Sequence, residues 1–108
     1  MKFSVRATQV FKRDLKRIAK KHPNITSDIA VLAEELSENP MKGSPLGKGC
    51  FKVRLRITDL GKGKSGGARV ITHFYVEQDT VYLLTMYLKS DGDSIDDNTI
   101  KDILNSID

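Results

Sequence analysis

From residue 50 to residue 57 the chain alternates without a break. Phe51, Val53, Leu55 and Ile57 are apolar, and Cys50, Lys52, Arg54 and Arg56 stand between them. Successive side chains of a strand point to opposite faces, so the pattern predicts one apolar face and one face carrying three cations. Residues 68–76 and 80–89 read as two further strands, joined by a tight turn at Gln78 and Asp79. The last of these is apolar on both faces, through Val81, Tyr82, Leu83, Leu84, Met86 and Leu88, which places it inside a sheet.

Ahead of these strands the period changes. Residues 2–6 form a short alternating segment, and a helix follows with Thr8 as its N-cap. Phe11, Leu15 and Ile18 recur at i, i+4 and i+7. The other positions of this helix are mostly Lys and Arg, read as a solvated face or as a second surface for nucleic acid. Pro23 ends the helix and suits the first turn of the next, in which Ile25, Ile29, Leu32 and Leu36 keep helical spacing as far as Glu38. Residues 39–49 hold two of the three prolines and three glycines, and read as a loop. Residues 94–106, with Ser94 as cap candidate, form a short amphipathic helix. The order βααβββα predicts an α+β fold: an antiparallel sheet packed by an N-terminal helical hairpin, with a short C-terminal helix, the helices on one face.

At 108 residues the chain is expected to be one domain, 1–108, with a single core. A lone cysteine, Cys50, makes no internal disulfide and is read as structural. The first residues contain no apolar run of signal-peptide length, and no segment approaches the roughly 20 apolar residues that cross a bilayer, so a cytoplasmic protein without membrane contact is expected. The net charge of +4 is unevenly spread. Residues 2–21 hold eight Lys/Arg against Asp14, residues 42–69 another eight against Asp59, and residues 91–108 six Asp against Lys101. The two basic stretches suit RNA, DNA or an acidic protein.

Cations on one strand face sit roughly 7 Å apart, close to the phosphate repeat of a single nucleic-acid strand. They repel one another, so the arrangement costs stability unless an anion uses it. Lys62 and Lys64 follow in the glycine-rich connection GKGKSGG, which offers ammonium and backbone N–H groups to phosphate. Gly63, Lys64 and Ser65 do not complete a nucleotide-binding P-loop, because Thr58 stands where its first glycine belongs; no nucleotide cofactor is expected. His22 and His73 have no Cys or second His at ligand spacing, and the Asp91, Asp93, Asp96 and Asp97 cluster lacks a calcium loop's glycine and terminal glutamate. No metal or other cofactor is expected, and His73 is read as packed rather than as a base.

Lys52, Arg54, Arg56, Arg69, Tyr87 and Lys89 lie on three neighbouring strands or their ends, and can meet on one sheet surface. Such a set suits RNA cleavage. A 2′-hydroxyl attacking the adjacent phosphate must lose its proton, the phosphorane must be stabilised, and the leaving 5′-oxygen must gain a proton. Arginines suit the second task through bidentate contact. A lysine whose pKa is lowered by neighbouring cations, or a tyrosine, can share the proton transfers.

The basic first helix FKRDLKRIAKKHP, then FKVRLRI, GKGKSGGARVI and VYLLTMYLKSD, resemble the RelE/ParE superfamily of bacterial type II toxins over nearly the full length. The resemblance is greatest to the RelE-like HigB branch, through GKSGGARVI followed by LLTMYLKSD. It implies a RelE-like fold and the toxin of a toxin–antitoxin system: a metal-independent endoribonuclease that cleaves mRNA on the ribosome, inhibits translation and is neutralised by a cognate antitoxin. By the same resemblance Lys52, Arg54 and Arg69 match basic positions used by RelE-type toxins, and Lys89 matches the basic residue ending the last strand. Ser90 stands where many RelE sequences have a second basic residue, and Tyr87 is taken as stand-in for an aromatic residue that the tail lacks. The expected catalytic set is therefore Lys52, Arg54, Arg69, Tyr87 and Lys89, with Arg56, Lys62 and Lys64 binding phosphate. A ParE-like inhibitor of DNA gyrase, and a non-catalytic toxin-derived binding module, are the alternatives.

Overall fold

A computed structural model describes residues 2–60, 67–92 and 94–107. Strand β1 (Ser4–Ala7) leads into helix α1 (Gln9–Ala19) and helix α2 (Ile25–Glu38). Strands β2 (Ser44–Gly47), β3 (Cys50–Leu55), β4 (Ala68–Tyr75) and β5 (Thr80–Leu88) follow, and helix α3 (Asp97–Asn105) comes last. The α+β class and the helical hairpin are as the sequence predicts.

The sheet differs from expectation in two respects. It has five strands in the order β1-β5-β4-β3-β2, and it is mixed: β1 runs parallel to β5, whereas the other pairs are antiparallel. The extra strand β2 comes from the stretch expected to be loop. It contains Pro45, which an edge strand tolerates because one side of its backbone faces no partner. The connection between β4 and β5 spans Val76–Gln78 and Asp79, and Asp79 takes the left-handed conformation (φ 48°).

Thr8 caps α1 as predicted, its hydroxyl oxygen accepting from the Phe11 N–H. Pro23 lies just before the N-cap of α2, Asn24, rather than in its first turn. Helix α3 starts at Asp97 with Asp96 as its cap, two residues later than the Ser94 start implies.

The helices do not share one face. Phe11 and Ile18 of α1 and Ile25, Leu32 and Leu36 of α2 pack against Val53, Leu55, Val70, Val81 and Met86. Ile100 and Ile103 of α3 pack on the opposite face, against Cys50, Ile71, Tyr82 and Leu84. A sheet with both faces partly covered needs apolar residues of both parities, which accounts for the two-sided pattern of β5.

Candidate active site

The three central strands bring the predicted residues together through their register. Arg54 on β3 pairs with Arg69 on β4, and Arg69 pairs with Tyr87 on β5, giving one row across the sheet. Residues directly opposite on neighbouring strands have Cβ atoms about 5 Å apart, so these side chains are near neighbours. Lys52 is one step away on the same face of β3, opposite Ile71. At the other side of the row, the Lys89 N–H donates to the Gly67 carbonyl at 2.9 Å, extending the ladder by one bond beyond Ala68 and Leu88. Gly67 permits this closure: its φ is +63°, and a Cβ there would stand 2.4 Å from the Leu55 carbonyl oxygen.

Exposure divides the set. Arg54, Arg56 and Lys89 are exposed, and Lys52 and Tyr87 are half-buried. Arg69 is only 2% exposed, and its guanidinium donates back to the Ala68 carbonyl at 3.1 Å. Arg69 shares the sheet surface with Arg54 and Tyr87, but unlike Arg54 it is buried within it. Arg54 and Arg56 also line a groove at the sheet edge, with Asp28, Val31 and Glu35 of α2 and with Lys42. Lys62 and Lys64 lie outside the described residues.

Two carboxylates tie the segment after β3 to the start of α2. Asp28 accepts from the Thr58 N–H and hydroxyl, and Asp59 accepts from the Asn24 N–H and side-chain amide. The bonds from Asn24 hold the Asp59 carboxyl below the usual carboxylate range. Arg56 is thus bracketed by fixed backbone: β3 precedes it and the short helical turn Thr58–Leu60 follows.

His73 is packed, as expected. Its Nδ1 lies 3.7 Å from Cys50 Sγ, and burial pushes its pKa down. Cys50 is buried in the core under α3, and burial pushes its thiol pKa up. Among the described residues no group of His, Cys, Asp or Glu could hold a metal ion. Nor is any helix among them long and apolar enough to cross a membrane.

Sequence reasoning missed Asp14. It is buried on α1, where its Oδ2 accepts from the Thr85 hydroxyl and, at 3.2 Å, from the Met86 N–H. Its spacing from Phe11 and Ile18 was the available signal, since i+3 and i−4 put it on the apolar stripe. Lys12, Arg13, Lys16 and Arg17 are by contrast exposed on the outer side of the same helix, as are Lys20 and Lys21 just beyond its end.

The sequence matches the model of a family described as RelE toxin of the RelE/RelB toxin–antitoxin system, over residues 8–106. Among solved structures, the fold is similar to a chain of the RelBE2 toxin–antitoxin complex from Mycobacterium tuberculosis. That match has 25% identity and a TM-score of 0.61, and covers 82% of this chain and 99% of the other. It is also similar to a mutant of the E. coli toxin RelE in the free state, at 16% identity with a TM-score of 0.64, covering 99% of both chains. A family model spanning nearly the whole chain, on a fold shared with those toxins, shows that this protein belongs to the RelE toxin family.

Proposed function

We propose that this protein is the toxin of a type II toxin–antitoxin system and that it cleaves mRNA on the ribosome, using the sheet face around Arg54, Arg69 and Tyr87. The observation that carries the reading is the cross-strand row itself, two arginines and a tyrosine in register, flanked by Lys52 and Lys89. Aligned cations repel, and an RNA phosphate turns that cost into binding. Within the family, GKSGGARVI and LLTMYLKSD support the HigB branch.

The geometry suggests a division of labour. Arg54, exposed, contacts the scissile phosphate and stabilises the charge that grows on its oxygens in the transition state. Arg69, buried one position along the row, adds positive potential from below and holds the row's centre. Lys52 and Lys89, on opposite sides of the row, and Tyr87 at its end take up the two proton transfers, from the 2′-hydroxyl and to the 5′-oxygen. Arg56, Lys62 and Lys64 bind the flanking backbone. The step needs no redox partner or nucleotide, since one P–O bond forms as another breaks.

A cognate antitoxin is the expected protein partner. The M. tuberculosis match was solved as a toxin–antitoxin complex, and that supports such a partner for this chain. The reading places the protein in the cytoplasm with its ribosomal target.

The test is to express the chain alone and map mRNA 5′ ends with and without a translation inhibitor. Growth arrest with cuts inside codons, lost when translation is blocked, is expected. Cuts that persist with translation blocked would remove the ribosome from the mechanism. Intact mRNA with inhibited DNA supercoiling would replace the reading with a gyrase inhibitor, and neither effect would leave a binding module.

A further inference from the structure

Strand β5 contains one residue more than its partner needs. Arg69 pairs with Tyr87 and Ile71 with Thr85, but Thr72 pairs with Leu83, so Leu84 is left over as a β-bulge. The bulge changes the phase of the strand. Before it, Val81 and Leu83 face α1 and α2; after it, Met86 faces them and Tyr87 turns to the opposite side. A slip of one residue flips every later side chain, so without the bulge Tyr87 would point into the helical layer and Met86 toward Arg69.

Helix α1 holds the bulge from end to end. The Thr8 N–H donates to the Leu83 carbonyl at 3.1 Å, and the Thr8 hydroxyl donates to the Leu84 carbonyl at 2.8 Å. Asp14 Oδ2 then accepts from the Met86 N–H, a backbone donor that a bulged ladder leaves to be satisfied elsewhere, and from the Thr85 side-chain hydroxyl. A carboxylate on the apolar stripe of a helix is costly to bury unless its acceptors are used. Here one oxygen takes both donors, and Asp14 Oδ1 meets the Arg17 guanidinium at 3.4 Å.

The geometry points to Asp14, assisted by Thr8 and Thr85, as a positioning residue for the proposed cleavage site: it fixes the bulge that puts Tyr87 in the row with Arg54 and Arg69. Asp14 touches no substrate. It acts through the backbone of β5, and the inference rests on the function proposed above for that row.

The experiment compares Asp14→Leu, Asp14→Asn and Thr85→Val with the full-length wild type. It uses two readouts, single-turnover cleavage on programmed ribosomes and nuclear Overhauser contacts between the Tyr87 ring and the Arg69 side chain in the protein alone. Asp14→Leu keeps the branched outline, with two methyl groups in place of the oxygens, and removes the acceptor. It is expected to lower the cleavage rate constant about 10²-fold, as a displacement near 1 Å does, with the half-saturating ribosome concentration little changed. The Tyr87–Arg69 contacts weaken while those of Phe11 with the core persist. Asp14→Asn, whose amide oxygen can occupy the Oδ2 position, retains most of the rate and the contacts. Thr85→Val, which loses one of the two donors, falls between them. It also decides the matter if Asp14→Leu does not fold.

A folded Asp14→Leu or Thr85→Val protein with wild-type rate and unchanged Tyr87–Arg69 contacts would overturn the inference. So would an Asp14→Asn protein as impaired as Asp14→Leu. If the wild type cleaves nothing, the proposed function fails, and the contacts alone still decide whether Asp14 sets the phase of Tyr87.

Discussion

The two faces of the central sheet solve different problems. On the α1–α2 side, Phe11, Ile25, Leu32 and Leu36 close over Val53, Val70, Val81 and Met86, all nearly inaccessible to solvent. On the α3 side, the fully buried apolar residues are Cys50, Ile71, Tyr82 and Leu84 beneath Ile100 and Ile103, with Tyr87 and Leu104 among those half-buried around them, and the next positions of β3 and β4 are Lys52, Arg54 and Arg69. One face stabilises the fold, and that stability lets the other carry charges that repel one another. Helix α3, only nine residues long, covers part of its face and leaves Arg54 exposed.

The contrast can be broken most severely from the stabilising side. Phe11→Ala is expected to cost about 3–5 kcal/mol of unfolding free energy through lost burial and the cavity left behind. Urea unfolding followed by circular dichroism measures it; a loss below about 1 kcal/mol would show that α1 is not essential to that core. Arg54→Ala should do the opposite. It should lower the cleavage rate about 10²–10³-fold, the scale of one transition-state donor, while stability stays within about 0.5 kcal/mol because the side chain is exposed. Arg69→Ala is a poorer probe, since removing a buried guanidinium disturbs fold and function together.

A smaller effect joins the two faces at the end of the row. Gly67→Ala meets the Leu55 carbonyl and the left-handed backbone at once, so a loss of about 1–3 kcal/mol is expected, with the Lys89 N–H exchanging faster with solvent. Unchanged exchange at Lys89 would show that the ladder closes without Gly67. The smallest effect concerns His73. Burial holds its folded pKa below the unfolded value near 6.5, so both states are neutral at higher pH and stability is then at its full value. As pH falls through 6.5 the unfolded chain takes up the proton first, and stability declines until the folded pKa is passed. The melting temperature should fall between pH 7 and pH 5, and His73→Gln should flatten that slope. An equal slope in the variant would assign the effect to another group.

Much of this was legible in the sequence because the patterns were local. The alternation from Phe51 to Ile57, the stripe from Phe11 to Ile18 and the Thr8 cap each depend on neighbours a few residues away. The row of Arg54, Arg69 and Tyr87 could be anticipated as a shared surface. Its register could not, because that depends on the bulge at Leu84, and the continuous apolar run of β5 conceals a change of phase. Strand β2 has no alternating pattern of its own and exists because β3 offers it a ladder. The parallel pairing of β1, the position of α3 on the second face and the burial of Arg69 are long-range outcomes that no local period encodes.

The parallel pairing of β1 with β5 has a consequence for how the chain acquires its shape. Ser4 meets Thr80 and Ala7 meets Leu83, so the first strand waits for the last before either is complete. Such distant contacts must close a long loop before they return any stabilisation, which slows folding relative to local structure. During synthesis α1 and α2 can form early, but the sheet they cover is assembled only after Leu88 has emerged. Under the function proposed here, a chain whose β5 has not yet paired has no working cleavage face, so toxicity waits on the slowest contacts of the fold.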